Sequence, residues 1–339
     1  MIFFLICFFL SLVFYFINNY FKNLNFIPNY KGKKHQTFSG LKTVPLTGGI
    51  FLSFLSVFLF FQYDLLFSLL IIPIFLSGFI SDINFLSSPK LRLLIQTLLI
   101  IISVYLLKIS IYPTKFIFLD YLLENIYFKY FFSVFCLLIV INGSNFIDGL
   151  NGLMLGYFSL IIFVIFYLDY YEFLEMDKTL LTSFIFVLIY LFVLNINNKL
   201  FMGDSGSYVL GFIVGYFLIK IYDANQAISP YFIVLLLWYP CFENLFSILR
   251  KFSLNRSPIN PDNNHFHQLV FYFVKKKIIS KKINPNNISS YLIIFYNIII
   301  FSISLKDPSN TQMQISLVIF NVFVYLIVYF RLFKYKYNI

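Results

Sequence analysis

The sequence has little charge: Asp, Glu, Lys and Arg together make up 12% of its 339 residues, against 60% for apolar residues. So little charge cannot supply the surface of a water-soluble domain of this length, and the composition reads instead as a polytopic membrane protein. Cysteine is scarce as well. Cys7, Cys136 and Cys241 stand isolated in apolar runs, which excludes a disulfide framework or a cysteine metal cluster. Histidine occurs three times, two of them as His265-x-His267, and a zinc site would want further His or Cys ligands nearby. The first apolar stretch, Met1 to about Tyr20, lacks the basic leader and small-residue cleavage site of a signal peptide, so it reads as a retained span. The 48 phenylalanines, with abundant Ile, Asn and Lys, are a bias of the whole chain and point to no function.

What the sequence does have is a succession of apolar stretches near the roughly 20 residues that a helix needs to cross about 30 Å of hydrocarbon. They predict an all-α fold of about eleven transmembrane helices in a single domain over residues 1–339, at roughly 1–20, 46–62, 65–81, 91–108, 129–141, 153–168, 179–195, 207–220, 230–250, 289–304 and 314–331. With the N-terminus outside, the inner segments hold about 19 of the 25 Lys and Arg. That asymmetry is a topology signal and accounts for most of the net charge of +11 without nucleic acid.

Acidic residues are scarce on the inner side. Only Asp82, Asp148, Asp204 and Asp262 remain there, with Glu243 inside the ninth span. Each of the four lies in a polar break near the predicted inner surface, so separate loops can bring them to one anionic cluster. Such a cluster suits a hard divalent cation, Mg²⁺ or Mn²⁺, which takes carboxylate oxygens and shares its other positions with water and phosphate.

The most conspicuous break is Asn142-Gly143-Ser144-Asn145-Phe146-Ile147-Asp148-Gly149-Leu150-Asn151-Gly152. Polar groups at this density are costly beside hydrocarbon, and if the segment is helical Asn145, Asp148 and Asn151 share a face. Upstream, a basic loop with Lys31, Lys33, Lys34, His35 and Lys42 leads into Pro45-Leu46-Thr47-Gly48-Gly49, where paired glycines allow close approach of a ligand or a helix. Ser81-Asp82 precedes Ser88-Pro89-Lys90-Leu91-Arg92, which reads as a helix start with Lys90 and Arg92 as anchors. Gly203-Asp204-Ser205-Gly206-Ser207 opens the eighth span, with Asp204 either capping that helix or ligating a metal beside phosphate. The long inner loop carries Arg256 and then Pro261-Asp262-Asn263-Asn264-His265-Phe266-His267, donors suited to a phosphate or sugar, followed by a solvated lysine run at 275–282. Nothing after Asn297 looks chemical.

In this order, PLTGG, an Asp-containing loop running into SPKLRLLIQ, NFIDGLNG, MGDSGS and PDNNHFH resemble the polyprenyl-phosphate N-acetylhexosamine-1-phosphate transferases of glycosyltransferase family 4, over roughly residues 25–270. The phospho-MurNAc-pentapeptide transferase of peptidoglycan synthesis is a related branch. The resemblance implies a multi-pass enzyme of the plasma (inner) membrane, with cytoplasmic loops forming the site and a homodimer as its expected assembly. It implies that a polyprenyl phosphate, such as undecaprenyl phosphate, attacks the sugar-linked phosphate of a UDP-sugar, UDP-GlcNAc or a relative, and releases UMP. Asp204 is then the expected Mg²⁺ ligand, and Asp82, Asp148 and Asn151 the catalytic group. Asn145, Arg256, His265, His267, Lys42, Gly48 and Gly49 are the expected substrate contacts. The chain departs from the family at Ser81, where an acid is usual, at Asn151 for Asp, at Asn263 for a basic residue and at Gln268 for a histidine. A transporter, a non-catalytic relative or a peptidoglycan-type enzyme are the competing readings, and the first would place its polar residues near the membrane midplane.

Overall fold

A computed structural model describes residues 2–24, 44–86, 88–170, 177–255, 257, 262–278 and 284–338. Among these the chain forms fourteen helices and no strand: α1 Ile2–Leu24, α2 Gly48–Phe60, α3 Leu65–Asp82, α4 Pro89–Leu106, α5 Ile117–Leu123, α6 Ile126–Ile147, α7 Leu153–Tyr170, α8 Lys178–Ile196, α9 Gly203–Ala224, α10 Pro230–Leu236, α11 Trp238–Ser253, α12 Phe266–Lys277, α13 Pro285–Ser304 and α14 Thr311–Tyr337. The all-α architecture is the expected one. Each predicted span coincides with a helix, yet only eight helices among the described residues are long and apolar enough to cross a membrane, or nine if the bent pair α10–α11 is one span. α2 and the described part of α7 are shorter apolar helices.

The differences from expectation have local causes. The span expected at 230–250 is broken at Leu237, and its halves meet at 73°. Pro240 lies in the first turn of α11, where its missing N–H costs nothing, whereas a continuous helix would drive its ring against the carbonyl of residue 236. The 142–152 break is half helical, because α6 runs through Asn145 to Ile147. Asn151 falls beyond that end and so does not share a helical face with Asn145. The long inner loop contains α12, whose N-cap is His265, and α5 lies in a segment read as a loop.

α9 is the post of the bundle, with 94% of its span buried. Its buried residues include Gly206, Ser207, Gly211 and Gly215, small side chains that let neighbouring backbones come close where apolar burial alone gives no drive for helices to associate. A Cβ on Gly211 would lie 2.5 Å from Ser144 Oγ on α6, so the helix that presents Asp148 is held directly against the helix that presents Asp204. α11 is amphipathic: Glu243, Asn244, Ser247 and Lys251 are buried, while Leu245, Leu249 and Phe252 are exposed. Its polar face looks inward, toward the loops at one end of the bundle.

Candidate active site

The site begins where α3 ends and α9 starts. The first N–H groups of a helix have no partner within it, and its positive end attracts a carboxylate. Asp82 supplies that carboxylate from another helix: Oδ1 accepts the Asp204 N–H at 2.7 Å, and Oδ2 accepts the Ser205 N–H at 3.1 Å and the Ser205 hydroxyl at 2.7 Å. Gly203 makes the approach possible, since it turns at φ +71° and a Cβ there would stand 2.6 Å from Asp82 Oδ2. Gly48 and Gly49 belong to the same junction. The Gly48 N–H donates to the Phe201 carbonyl at 3.0 Å, and a Cβ on Gly49 would overlap Ser205 Oγ. Both glycines therefore pack α2 against the start of α9.

With the helix cap supplied by Asp82, the Asp204 side chain is turned elsewhere. Its Oδ2 accepts the Ser81 hydroxyl at 2.5 Å and Arg92 Nη1 at 3.0 Å, and Arg92 Nη1 also lies 2.9 Å from Ser81 Oγ. The hydroxyl that stands where the family has an acid thus bridges a guanidinium and a carboxylate. Arg92, read from sequence as a membrane anchor, is part of the site. The signal was its place four residues after Ser88, on the first turn of a helix facing Asp82.

Asp148 caps the C-terminus of α6, its N–H donating to Ser144 O at 3.2 Å. Burial first, then the Asp204 and Asp82 carboxylates, push its carboxyl well above the usual range. Asn145 Nδ2 reaches the Tyr208 hydroxyl at 3.5 Å. Beyond Asp148 the loop is held by amides: the Asn151 N–H donates to Asn286 Oδ1 at 2.8 Å, Asn151 Nδ2 to Asn198 Oδ1 at 2.7 Å and the Gly152 N–H to Asn195 Oδ1 at 2.5 Å. A small opening of about 20 Å³ lies among Asp148, Asn151, Asn195, Phe201, Gly203 and Asn286. The amides of α8 and α13 were missed, because single Asn residues in an Asn-rich chain carry no signal.

The histidine loop meets this group from the other side. His267 is fully buried and sits against Gly149, where a Cβ would overlap its Nε2. His265 stacks on His267 at 5.7 Å and on Phe146 at 5.1 Å between ring centres. His265 Nδ1 lies 2.9 Å from Glu243 Oε1, and Tyr325 donates its hydroxyl to Glu243 Oε2 at 2.7 Å. Asp262 binds Arg250 through both oxygens, at 2.7 and 3.3 Å. Its carboxyl is pushed up by burial but held below the usual range overall by the Arg250 hydrogen bond and by His265, Arg250 and Lys251. α14 clamps the loop: Tyr329 donates to Asn264 O at 3.0 Å, and Lys336 Nζ and the Tyr337 hydroxyl reach Asn264 Oδ1, each at 2.8 Å. The expectation that nothing chemical follows Asn297 needs correcting on this point, since α14 seats the histidine loop. Lys42 and Arg256 lie outside the described residues, as do Lys31, Lys33, Lys34 and His35.

Among the described residues no three His, Cys, Asp or Glu side chains converge closely enough to hold a metal ion by themselves. The structure instead brings Asp82, Asp148 and Asp204 within electrostatic reach of one another, at the same end of the bundle as the histidine loop. Fold and site together define a multi-pass helical membrane protein with an acidic, amide-lined site at one end of its helices.

Comparison with known sequences shows what the chain is similar to. The family model for glycosyl transferase family 4 matches residues 65–222, from α3 to α9, and the resemblance carried by the motifs is borne out. Undecaprenyl-phosphate alpha-N-acetylglucosaminyl 1-phosphate transferase of Salmonella typhi is 28% identical over 255 residues, 72% of this chain and 68% of that protein. The protein of the same name from Thermotoga maritima is 25% identical over 231 residues, 67% of this chain and 68% of its own length. That of Escherichia coli strain K12 is 28% identical over 196 residues, 56% of this chain and 53% of its own length.

Proposed function

We propose that this protein is an enzyme that transfers N-acetylhexosamine 1-phosphate, with GlcNAc as the favoured sugar, from a UDP-sugar to undecaprenyl phosphate. The observation that carries the reading is the meeting of Asp82, Asp148 and Asp204 with Arg92 and the histidine loop at one end of the bundle, in a chain whose relatives are named for this activity. A lipid phosphate oxygen attacks the sugar-linked phosphorus, the bond from that phosphorus to the bridging oxygen breaks, and UMP leaves with that oxygen. The products are polyprenyl-diphosphate sugar and UMP. A phosphate monoester with a second pKa near 6 is already mostly a dianion at neutral pH, so Ser81 in place of an acid is compatible with turnover. The work of the protein is then positioning and charge neutralisation.

The opening beside Asp148, Phe201 and Asn286 is only about 20 Å³, so a nucleotide base would enter only as the loop at 149–152 gives way. His265, oriented through Nδ1 by Glu243 and with Nε2 3.6 Å from Asp262 Oδ1, would have to exchange the Asp262 contact to donate from Nε2 to a phosphate or sugar oxygen. The donor set also fits a divalent cation: the carboxylate oxygens are hard ligands, and Mg²⁺ takes one or two carboxylates plus substrate phosphates. Asp204, with Asp148 beside it, would hold that ion, which when bound neutralises charge on the diphosphate. Arg92 now shares Asp204 and would yield part of that contact. The site would face the cytoplasm, where the UDP-sugar is available, in the plasma membrane.

Purified protein given radiolabelled UDP-GlcNAc and undecaprenyl phosphate should move label into the lipid fraction and release UMP in equal amount. UMP release without lipid labelling, or no consumption of any UDP-N-acetylhexosamine, refutes the proposal. Single cysteines placed at residues 86 and 263 should be labelled from the cytoplasmic side only, and labelling from opposite sides would exclude a common site.

A further inference from the structure

From Asn263 to Ile339 the sequence holds a single acid, Asp307, while Lys275, Lys276, Lys277, Arg331, Lys334 and Lys336 lie at the ends of α12 and α14. Asp307 precedes α14 and so stands at its far end: Thr311–Tyr337 is 27 residues, about 40 Å of helix. A hydrocarbon layer takes up roughly 30 Å of that, which leaves the last turns, with Arg331, Lys334 and Lys336, in the head-group layer. α12 reaches the same level from the side. It packs on α14, and Phe273 meets Tyr335 edge-on at 5.2 Å between ring centres. α13 enters the membrane again from Pro285, a short connection beyond Lys277.

Cations at this end have two general explanations: helix C-termini favour them, and so do the inner loops of a membrane protein. Neither requires two helices to pool their charges or to hold them in place, and both happen here. Lys276 Nζ lies between two rings, 5.2 Å from the centre of Tyr272 and 5.0 Å from that of Tyr335, so the α12 ammonium is fixed against α14. Tyr335 stands four residues after Arg331, on the same face of α14. Lys275, Lys276, Lys277, Arg331 and Lys334 are exposed, and among the described residues none of them is ion-paired. Phe330 and Tyr337 are exposed beside them, as aromatic rings are at head-group depth. Clustered charges of one sign repel, so this group calls for anions from outside the chain.

We propose that the paired ends of α12 and α14 are a docking surface for anionic phospholipid head groups of the adjoining leaflet, centred on Lys276, Arg331 and Lys334, and that a lipid seated there braces the histidine loop. A head-group phosphate lies at the right depth, carries the opposite charge and belongs to the layer in which both helices end. The brace follows from what else the two helices hold. α12 has His265 as its N-cap, and Lys336, two residues from Lys334, donates to Asn263 O at 2.6 Å and to Asn264 Oδ1 at 2.8 Å. Pinning α12 to α14 at one end therefore limits how far the loop swings at the other. The bracing rests on the proposed transfer reaction for its catalytic meaning, whereas lipid selectivity and loop protection are read without turnover.

The test uses the full chain in dioleoylphosphatidylcholine bilayers with a trace of spin-labelled phosphatidylglycerol or spin-labelled phosphatidylcholine, and the motionally restricted fraction of each label gives its relative affinity. Lys276→Gln/Arg331→Gln removes two charges from the surface. Lys90→Gln/Lys199→Gln removes two exposed charges elsewhere at the same end of the bundle. Size-exclusion elution and thermal melting establish that both variants are folded. A cation near an anionic surface contributes roughly a fivefold preference, so phosphatidylglycerol should be preferred about fivefold by the native protein and by Lys90→Gln/Lys199→Gln, and less than about twofold by Lys276→Gln/Arg331→Gln. When a third of the lipid is phosphatidylglycerol, amide hydrogen exchange at residues 262–268 should slow on the order of fivefold in the native protein and not in Lys276→Gln/Arg331→Gln. No preference for phosphatidylglycerol, or an equal loss of it in both variants, overturns the docking surface, and unchanged exchange at 262–268 overturns the bracing. Retention of a labelled oligonucleotide in place of any lipid preference assigns the surface to nucleic acid and overturns the proposal. If selectivity and exchange behave as stated but no UDP-sugar is consumed, the docking surface holds and the activity reading fails.

Discussion

Gly149→Ala is the smallest change that should separate the site from the fold. A methyl on residue 149 would overlap His267 Nε2 and stand 3.1 Å from its Cδ2, so ring or loop must shift by on the order of 1 Å to restore an ordinary contact. His267 is fully buried and stacks on His265, which stacks on Phe146, so the ring has no free space and part of the shift passes to Asp148. Overpacking of this kind costs about 1–3 kcal/mol, and a 1 Å misplacement of reacting groups costs roughly a hundredfold in rate. The expected result is a lowered melting temperature in detergent and a kcat for HexNAc-1-phosphate transfer reduced about a hundredfold. A His267→Ala background isolates the cause, because the vacated ring space accommodates the added methyl. There Gly149→Ala should cost almost no further stability, a coupling of about 1–3 kcal/mol between the two sites. Additive losses in the double variant, or native-like melting and turnover within threefold of native for Gly149→Ala alone, would refute the argument that Gly149 exists to admit His267.

Four further outcomes follow from the geometry. Asp204→Asn keeps an acceptor for Ser81 and Arg92 while removing a charge, so it should insert and melt normally yet lose activity by several orders of magnitude at every Mg²⁺ concentration; native activity across the titration would exclude Asp204 as a metal ligand. Ser81→Asp should change turnover little between pH 5 and 9, because the lipid phosphate attacks as a preformed dianion; since a required base contributes roughly 10²- to 10⁴-fold, a gain of a hundredfold near neutrality would show that a base is needed. Tyr325→Phe removes the hydroxyl that Glu243 Oε2 accepts, and a buried carboxylate left short of a donor costs about 1–3 kcal/mol; the variant should melt lower, and an unchanged melt would dissociate α14 from the histidine loop. The Asp262 carboxyl is held below its usual range, so the stability it contributes is present above the ordinary carboxylate pKa of about 3.9 and lost as pH falls through the lower folded value; melting curves from pH 3 to 7 should show an acid-side decline that Asp262→Asn reduces.

Much of this architecture was legible because the bilayer imposes a length on every spanning helix, and a run such as Leu65–Asp82 announces itself. The loops were legible because polar residues beside hydrocarbon need a reason, which singled out Asp82, Asp148, Asp204 and His265. Sequence said less about which neighbour each group meets. Asp204 was open to reading as its own helix's cap or as a metal ligand; the cap comes from Asp82 on α3, a pairing made by tertiary approach and invisible to local spacing. Arg92 was hidden because a cation at the start of a span has a sufficient topological explanation. Tyr325 and Tyr329 did leave a signal, four apart on one face of α14. Both were masked by a chain rich in aromatic and amide side chains. The bend at Leu237 was forecast by Pro240 and overridden by hydropathy, which does not register a missing N–H.

α14 follows every other helix in chain order, yet Tyr325, Tyr329, Lys336 and Tyr337 hold the loop that carries the histidines. During synthesis the three carboxylates and the amide pocket therefore enter the membrane well before the histidine loop has anything to rest on. A nascent chain halted after α13 would contain every group of the acidic cluster without the clamp that seats His265 and His267 over it. Docking of α14 is therefore the step that completes the contacts of the histidine loop.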